Sequence, residues 1–193
     1  MTVRTVCTAI PYVNGLVHIG NLLTNLSGDV TARHLRMRGE TVFHQVGTDE
    51  NGLKILEAAA NAGRPPSEFV RELSDRFERT LGEMNVAFDA FVRTTSPEHV
   101  RASQTVFARL RDAGHIYLDK YEGWYDVSTE TFFREEDLVE GRSPDGNPVR
   151  WVSEDNWFFR LSAFTDAIRN HIETNPDFIV PENRRNETLA FLK

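Results

Sequence analysis

Two side chains that can bind an anion, His18 and Asn21, lie three residues apart directly after a loop that contains proline and glycine. An imidazole and an amide at this spacing share one side of the first turn of a helix. Gly20 lies between them and has no Cβ to keep a ligand away from the backbone. Because the first N–H groups of a helix lack internal partners, the stretch predicts a phosphate-binding turn.

Both side chains also have a purely structural interpretation. His18 could make only a structural hydrogen bond in the loop, and Asn21 could cap the start of the helix. An amide can donate to a phosphate oxygen whatever the pH, so both interpretations of Asn21 stay open.

A second candidate site follows the apolar run at residues 41–46, which predicts a β-strand. Asp49 comes soon after this run, and a carboxylate at the carboxyl end of a strand can bind the α-ammonium group of an amino acid. The alternative for Asp49 is a cap of the helix that begins near Gly52.

The elements around these residues follow the pattern of an α/β protein. Apolar spacing predicts a buried strand at 3–10, a helix from Leu22 to about residue 38, the strand at 41–46 and a helix at 53–62. This βαβ order indicates a parallel sheet with a right-handed crossover, whose ligands bind at the carboxyl ends of the strands. We therefore expect the two candidate loops to lie at the same edge of the sheet.

The rest of the chain suggests three regions. A helix at 67–82 capped by Ser67, a short strand at 88–93 and a helix from Pro97 complete the first region, residues 1–114. Residues 115–160 concentrate aromatic side chains in short extended pieces, which predicts a β-rich insertion. Residues 161–193 are predicted to be a helical return segment.

Composition limits the kinds of ligand and the cellular compartment that we expect for this protein. The 193 residues carry a net charge of −7, which argues against a surface devoted to binding polyanions. The single cysteine, Cys7, is expected to be a small buried residue, and a chain with one cysteine forms no internal disulfide, as suits a reducing compartment. No basic leader and no apolar run near 20 residues is present, so we expect a cytoplasmic protein without membrane contact.

The turn around His18 resembles the His-Ile-Gly-His signature of class I aminoacyl-tRNA synthetases, with Asn21 in place of the last histidine. Five further stretches resemble methionyl-tRNA synthetases in the same order and span nearly the whole chain: residues 9–12 with 14–15, 47–52, 121–125, 157–162 and 185–187. The resemblance implies the first half of a Rossmann-like parallel sheet with a small β-rich inserted domain, similar to the connective peptide of these enzymes.

The resemblance also implies an activity and a set of residues. The family forms an aminoacyl adenylate from ATP, with Mg²⁺, and transfers the amino acid to tRNA or another acceptor. On that basis His18 and Asn21 are catalytic and bind ATP together with Gly20, and Asp49 binds the amino acid. Ala9, Ile10 and Tyr12 match the residues that line the methionine side-chain pocket, and Asn51, in place of the family's histidine, is a further candidate.

The chain departs from the family in two respects. Residues 125–128 and 143–146 contain no cysteine where many relatives have a zinc knuckle, so we expect no structural zinc. No Lys-Met-Ser-Lys-Ser run occurs, so a missing C-terminal half, a protein partner or a second copy would have to complete the site.

Two alternatives therefore remain open beside the enzyme. One is a catalytically incomplete paralogue that acts as a nucleotide-binding or regulatory module. The other is a generic nucleotide-binding α/β protein such as an adenylyltransferase, which would leave residues 121–125 and 185–187 unexplained.

Overall fold

The computed structural model describes residues 2–192. Strands and helices alternate through its first part, in the order β1 (Val3–Cys7), α1 (Ile19–Met37), β2 (Thr41–Thr48), α2 (Leu53–Asn61), α3 (Pro66–Glu83), β3 (Ala90–Arg93) and α4 (Pro97–Asp112). The three strands form a parallel sheet in the order β1-β2-β3, with β2 in the centre. The predicted α/β class and parallel sheet are confirmed.

A second sheet lies in the segment predicted to be β-rich. Its strands are β4 (Ile116–Asp126), β5 (Thr131–Phe133) and β6 (Arg150–Phe159), in the order β5-β4-β6, and the chain then forms α5 (Thr165–Thr174) and α6 (Glu182–Phe191). Short 3-10 helices occupy Glu135–Asp137 and Leu161–Phe164. Among residues 2–192, no helix combines the length and apolar character that crossing a bilayer requires.

Internal contacts divide the chain into two compact units. One contains the chain up to Thr105 together with Tyr125–Arg150, and the other contains Val106–Trp124 together with the chain from Trp151. The region boundaries expected after residues 114 and 160 remain predictions.

The core of the first unit lies on the central strand and on α3. Val46 of β2 is fully buried and packs with three other buried residues, Phe77, Leu81 and Val86. Five apolar residues of α3 are buried or half-buried: Phe69, Val70, Leu73, Phe77 and Leu81. The centre of the sheet is tight, because a Cβ on Gly47 would lie 2.2 Å from the carbonyl oxygen of Val92.

Some local predictions were wrong. Cys7 is exposed because β1 is an edge strand of its sheet and pairs only with β2 among the described residues; the strand also ends at Cys7 rather than at residue 10. Ser67 is not a cap, because α3 already begins at Pro66, whose fixed φ suits the first turn of a helix.

Helix α1 packs inward with small and polar residues, and Leu22 and Leu26 are half-buried against the core around Val46. Leu23 and Val30 are 64% and 65% exposed, whereas four residues of the opposite face are buried: Asn25, Gly28, Asp29 and Ala32. Asn25 accepts a hydrogen bond from the Thr8 hydroxyl at 2.9 Å, and Asp29 accepts one from the backbone N–H of Ala87 at 2.9 Å. These bonds satisfy the buried polar groups and hold the helix in one register.

We expect Gly28→Ala and Gly82→Ala to change stability in opposite directions. A Cβ on Gly28 would lie 2.4 Å from Thr8 Cγ2 and 3.0 Å from His44 Nε2, so overpacking should lower the free energy of unfolding by about 1–3 kcal/mol. Gly82, also helical, has nothing within 4 Å of that position, so alanine should raise it by about 0.5–1 kcal/mol. Urea unfolding of both variants tests this, and a stabilised Gly28→Ala protein would contradict the packing.

Candidate active site

His18 and Asn21 form a reciprocal cap at the start of α1. The His18 Nδ1 atom accepts from the backbone N–H of Gly20 at 3.1 Å, and Asn21 Oδ1 accepts from the backbone N–H of His18 at 3.3 Å. Both side chains thus have the structural role that the sequence left open. This cap fixes the direction in which each side chain points.

The same cap leaves hydrogen-bond donors free. Because Nδ1 of His18 is an acceptor, the neutral ring carries its proton on Nε2. Because Oδ1 of Asn21 is used by the backbone, the two N–H bonds of its Nδ2 remain. Within residues 2–192 neither nitrogen has a hydrogen-bond partner, so the head of α1 offers donors to an anion from the side chains and from the helix itself.

A cavity of about 260 Å³ lies directly at this cap. Tyr12, His18 and Asn21 contribute to its walls from the first loop and the start of α1, and Lys54 contributes a cation from α2. Leu73 and Phe77 of α3 supply an apolar side. The structure therefore brings three of the predicted site residues to one cavity.

Asp49 lies beside this cavity rather than in its lining. Its backbone N–H donates to the carbonyl of Pro11 at 2.9 Å and its carbonyl accepts from the N–H of Val13 at 3.2 Å, so the first loop is paired with the end of β2. This pairing makes Tyr12 and Asp49 direct neighbours. The expectation that the loops after β1 and β2 meet at one edge of the sheet is confirmed.

The Asp49 carboxylate is oriented by Thr94, just past β3. The Thr94 hydroxyl oxygen accepts from the N–H of Glu50 at 2.8 Å and from Asn51 Nδ2 at 3.1 Å, so its one proton goes to Asp49 Oδ1 at 3.3 Å. The N–H of Asn51 also donates to this oxygen, at 3.1 Å. Among the described residues Oδ2 of Asp49 has no hydrogen-bond partner and can accept from a cation.

Glu50 anchors the same loop from inside the protein. It is 5% exposed, and its carboxylate accepts from the hydroxyl groups of Ser74 and Thr95 and lies 3.9 Å from Arg93 Nε. These partners come from α3, β3 and the loop after β3, so one buried carboxylate holds the end of β2 to three other segments. A paired and fully hydrogen-bonded buried charge of this kind is structural.

Tyr12 is held between the two candidate sites and the β4–β5 turn. Its ring lies over Gly52, where a Cβ would come within 3.3 Å of the Tyr12 ring. The negative charges of Glu130 and Asp49, together with burial, raise the pKa of its hydroxyl. Tyr12 therefore stays protonated and keeps its hydrogen-bond donor.

The remaining predicted site residues do not reach the cavity. Ala9 is exposed and Ile10 half-buried at the end of the β1 segment, and neither belongs to the lining. Gly20 lies at the cap with its N–H used by His18, and Asn51 Nδ2 donates to the Thr94 hydroxyl. The roles assigned to these residues remain predictions.

Three contributing residues were missed from the sequence: Lys54, Thr94 and Glu130. Thr94 could have been found, because it follows the third parallel strand, at the edge where ligands bind. Lys54 is the second residue of α2, and a single lysine near a loop does not indicate a site by itself. Glu130 lies 118 positions from Tyr12 in the sequence, and no sequence pattern links them.

The turns at residues 125–128 and 143–148 are joined by Asp126. This carboxylate is fully buried and accepts from the backbone N–H groups of Ser128 and Thr129, at 2.8 and 3.3 Å, and from Asn147 Nδ2 at 3.0 Å. Burial alone would raise its pKa, but these bonds and one with Ser143 lower it to about 2. Within residues 2–192 no group of three or more His, Cys, Asp or Glu side chains could hold a metal ion.

The candidate site lies at the carboxyl ends of the strands of a parallel sheet, which is the edge where α/β proteins bind their ligands. The chain belongs to the family described as tRNA synthetases class I (M), whose model matches residues 4–150. The resemblance inferred from the motifs is confirmed.

Similar proteins support the same family assignment. The chain is 45% identical to the methionine–tRNA ligase of Mycobacterium bovis over 192 residues, and 42% identical to that of Thermotoga maritima over 193 residues. Each match covers 97% of this chain but only 37% and 31% of the relative. The chain therefore spans about a third of the length of these relatives.

Solved structures give the same result. Mycobacterium tuberculosis methionyl-tRNA synthetase in complex with methionyl-adenylate matches with a TM-score of 0.92 and 44% identity, over 100% of this chain and 39% of that one. The Agrobacterium radiobacter K84 agnB2 LeuRS in a ternary complex with tRNA and LeuAMS matches with a TM-score of 0.79 and 27% identity, over 97% of this chain and 24% of that one.

The hydrogen bonds to Asp126 should make the free energy of unfolding depend on pH. The pKa of Asp126 is lower in the folded protein, about 2, than its ordinary value of 3.8, so its contribution is full above pH 3.8 and is lost as the pH falls toward 2. When the pH falls from about 5 to about 2.5, we expect the free energy of unfolding to drop less in the Asp126→Asn variant than in the unaltered protein. Urea unfolding at both pH values measures this, with Asp145→Asn on an exposed turn position as the control.

Equal losses in the Asp126→Asn and unaltered proteins would contradict the assignment. The comparison uses the change with pH rather than stability at one pH, because the substituted amide also alters the hydrogen bonds at this position.

Proposed function

We propose that this chain forms the ATP- and amino-acid-binding part of a methionyl-tRNA synthetase site, which makes methionyl adenylate. The main support for the proposal is the placement of the hydrogen-bonding groups that have no partner among the described residues. His18 and Asn21 present donors at the head of α1, and Asp49 presents a free acceptor, Oδ2, at the end of β2. A ligand with phosphate at one end and an ammonium group at the other matches these two sets of groups.

The proposed reaction follows from this placement. A carboxylate oxygen of methionine forms a bond to the α-phosphorus of ATP, while the bond to the bridging oxygen breaks and pyrophosphate leaves. Asp49 holds the α-ammonium group and so orients the attacking carboxylate. The His18 and Asn21 donors and the N-terminal end of α1 stabilise the negative charge that develops on the phosphates.

Residues around the first loop are proposed to take the methionine side chain. Tyr12 offers an aromatic ring at the cavity, and a thioether makes favourable contacts with such a ring. Ala9 and Ile10 join this pocket only in the proposal, because they do not line the present cavity. Gly20 is proposed to let ATP approach the backbone of the helix start.

ATP and Mg²⁺ are the proposed cofactors. The structural relative from M. tuberculosis contains methionyl-adenylate, a compound of methionine and AMP, which supports ATP as a substrate here. The free donors at the α1 cap suit phosphate oxygens, and Mg²⁺ bound to ATP would neutralise part of the phosphate charge. We propose that the Asp126 hydrogen bonds take the place of a structural zinc in joining the two turns of the first unit.

The acceptor and the rest of the site remain proposals as well. Transfer of the activated methionine to tRNA is expected from the named relatives, with another acyl acceptor as the alternative. The half that completes the site would come from further sequence, a protein partner or a second copy. The cytoplasm is the proposed location, supported by a role in translation and by a chain with one cysteine.

We expect His18→Ala to lower methionine-dependent ATP–pyrophosphate exchange by about 10²- to 10³-fold, the usual effect of removing one donor to transition-state charge. The variant also removes a helix cap, so His18→Asp is the second test: aspartate caps the helix well but offers a negative charge instead of a donor. His34→Ala, on the exposed last turn of α1, is the control.

Exchange is measured on the protein alone and again with cell extract, and circular dichroism reports the fold. Exchange by a well-folded His18→Asp variant at the unaltered rate would refute the role of His18. ATP binding without exchange in both samples of the unaltered protein would instead support the catalytically incomplete module.

Thr94→Val should raise the KM for methionine about tenfold and leave the KM for ATP within about twofold, because valine keeps the shape but cannot orient Asp49. Thr94→Ser keeps the hydroxyl and should stay within about twofold for both substrates. Steady-state exchange kinetics distinguish these results. An equal rise of both KM values, or no rescue by serine, would show that Thr94 does not act through Asp49.

A further inference from the structure

We infer that Lys54 is a further binding residue of the candidate active site and contacts the two terminal phosphates of ATP, which leave together as pyrophosphate. The inference rests on the proposed function, since it names a contact for the same substrate. His18 and Asn21 offer hydrogen-bond donors to the phosphates, whereas Lys54 adds a full positive charge at the same cavity.

Lys54 determines the sign of the charge in the cavity lining. Among the described residues that line the cavity, it is the one with a permanent charge, and none of them is an aspartate or a glutamate. A lining with one cation and several N–H donors favours an anionic group over an ammonium group. The volume of about 260 Å³ lies below the usual range for a whole ligand of drug size, so the cavity suits a part of ATP such as its phosphates.

The backbone at Lys54 is fixed beside the first loop. Ile55, the next residue of α2, is 2% exposed and packs with Val13 of that loop and Val70 of α3. Two residues before Lys54, a Cβ on Gly52 would lie 3.3 Å from the Tyr12 ring. The place of Lys54 at the cavity wall is therefore set by its buried neighbours and does not depend on the contacts of its own ammonium group.

The ammonium group of Lys54 has its donors available. Its Nζ lies 3.9 Å from Glu130 Oε1, which is too long for a hydrogen bond, and among residues 2–192 it makes no hydrogen bond. Lys120 differs, because its Nζ lies 2.8 Å from Glu122 Oε1. Since an ammonium group carries three N–H donors, Lys54 can bind phosphate oxygens without first breaking a hydrogen bond.

The chemistry of the proposed reaction decides which anion gains most from this cation. When the bond between the α-phosphorus and the bridging oxygen breaks, its electron pair stays on the leaving pyrophosphate, which becomes more negative. A cation at the pyrophosphate therefore stabilises the transition state more than the bound substrate. The methionine carboxylate loses negative charge in the same step, so a cation on that group would oppose the attack. Lys54 accordingly suits the leaving group rather than the nucleophile.

The experiment measures binding of ATP, pyrophosphate and methionine by calorimetry in the presence of Mg²⁺. We expect Lys54→Met to weaken binding of ATP and of pyrophosphate at least about tenfold, because a hydrogen bond between charged groups is lost, and to leave methionine binding within about twofold. Lys54→Arg keeps the charge and should restore binding of both phosphate ligands to within about fivefold of the unaltered protein.

Lys120→Met is the matched control, since Lys120 is the other lysine among residues 2–192 and is also paired with a glutamate. We expect it to change none of the three affinities. Circular dichroism and methionine binding report whether each variant is folded. Lys54→Gln, with a shorter neutral side chain, is measured in the same way and replaces Lys54→Met if that variant does not fold.

Unchanged binding of ATP and pyrophosphate in Lys54→Met would overturn the inference and leave the proposed function in place. Weaker binding of methionine alone, or of ATP but not pyrophosphate, would also overturn it, because Lys54 would then contact another group. If the unaltered protein bound neither ATP nor pyrophosphate, the proposed function itself would fail. The two failures are distinguishable, because the first is seen in the variant and the second in the unaltered protein.

Discussion

The reciprocal cap between His18 and Asn21 determines what the candidate site can bind. Each side chain uses its acceptor for a backbone N–H of the helix start, at 3.1 and 3.3 Å, and so turns its donors away from the helix. A structural role and a ligand-binding role are therefore not alternatives at these positions. The hydrogen bonds that stabilise the helix also place the donors.

Helix α1, which begins at this cap, is held in place by hydrogen bonds from its buried side. Asn25 and Asp29 are buried against the sheet side and hydrogen-bonded to Thr8 and Ala87, and Gly28 allows the close approach. Hydrogen bonds fix one register where an apolar face would tolerate small shifts, because they depend on distance and angle. The exposure of Leu23 and Val30 is a consequence of this arrangement.

The two asparagines that replace family histidines have different surroundings. Asn21 keeps free donors at the cavity, whereas the side chain of Asn51 donates to Thr94 and helps to direct the Thr94 proton to Asp49. Asn51 thus supports the Asp49 carboxylate from outside the cavity. An amide serves this purpose because its N–H groups donate at any pH.

The α/β class, the parallel sheet, the helix start near His18 and the position of Asp49 beside the first loop all followed from the sequence, because periodicity, loop residues and chain order are local signals. The motifs and their order along the chain also indicated the family. The exposure of Cys7 and Leu23, the hydrogen bond from Thr94 to Asp49 and the effect of Glu130 on the pKa of Tyr12 became visible only in the folded structure. These facts depend on contacts between residues far apart in the chain, and the free energy of such contacts is set by the packed geometry rather than by residue type or spacing.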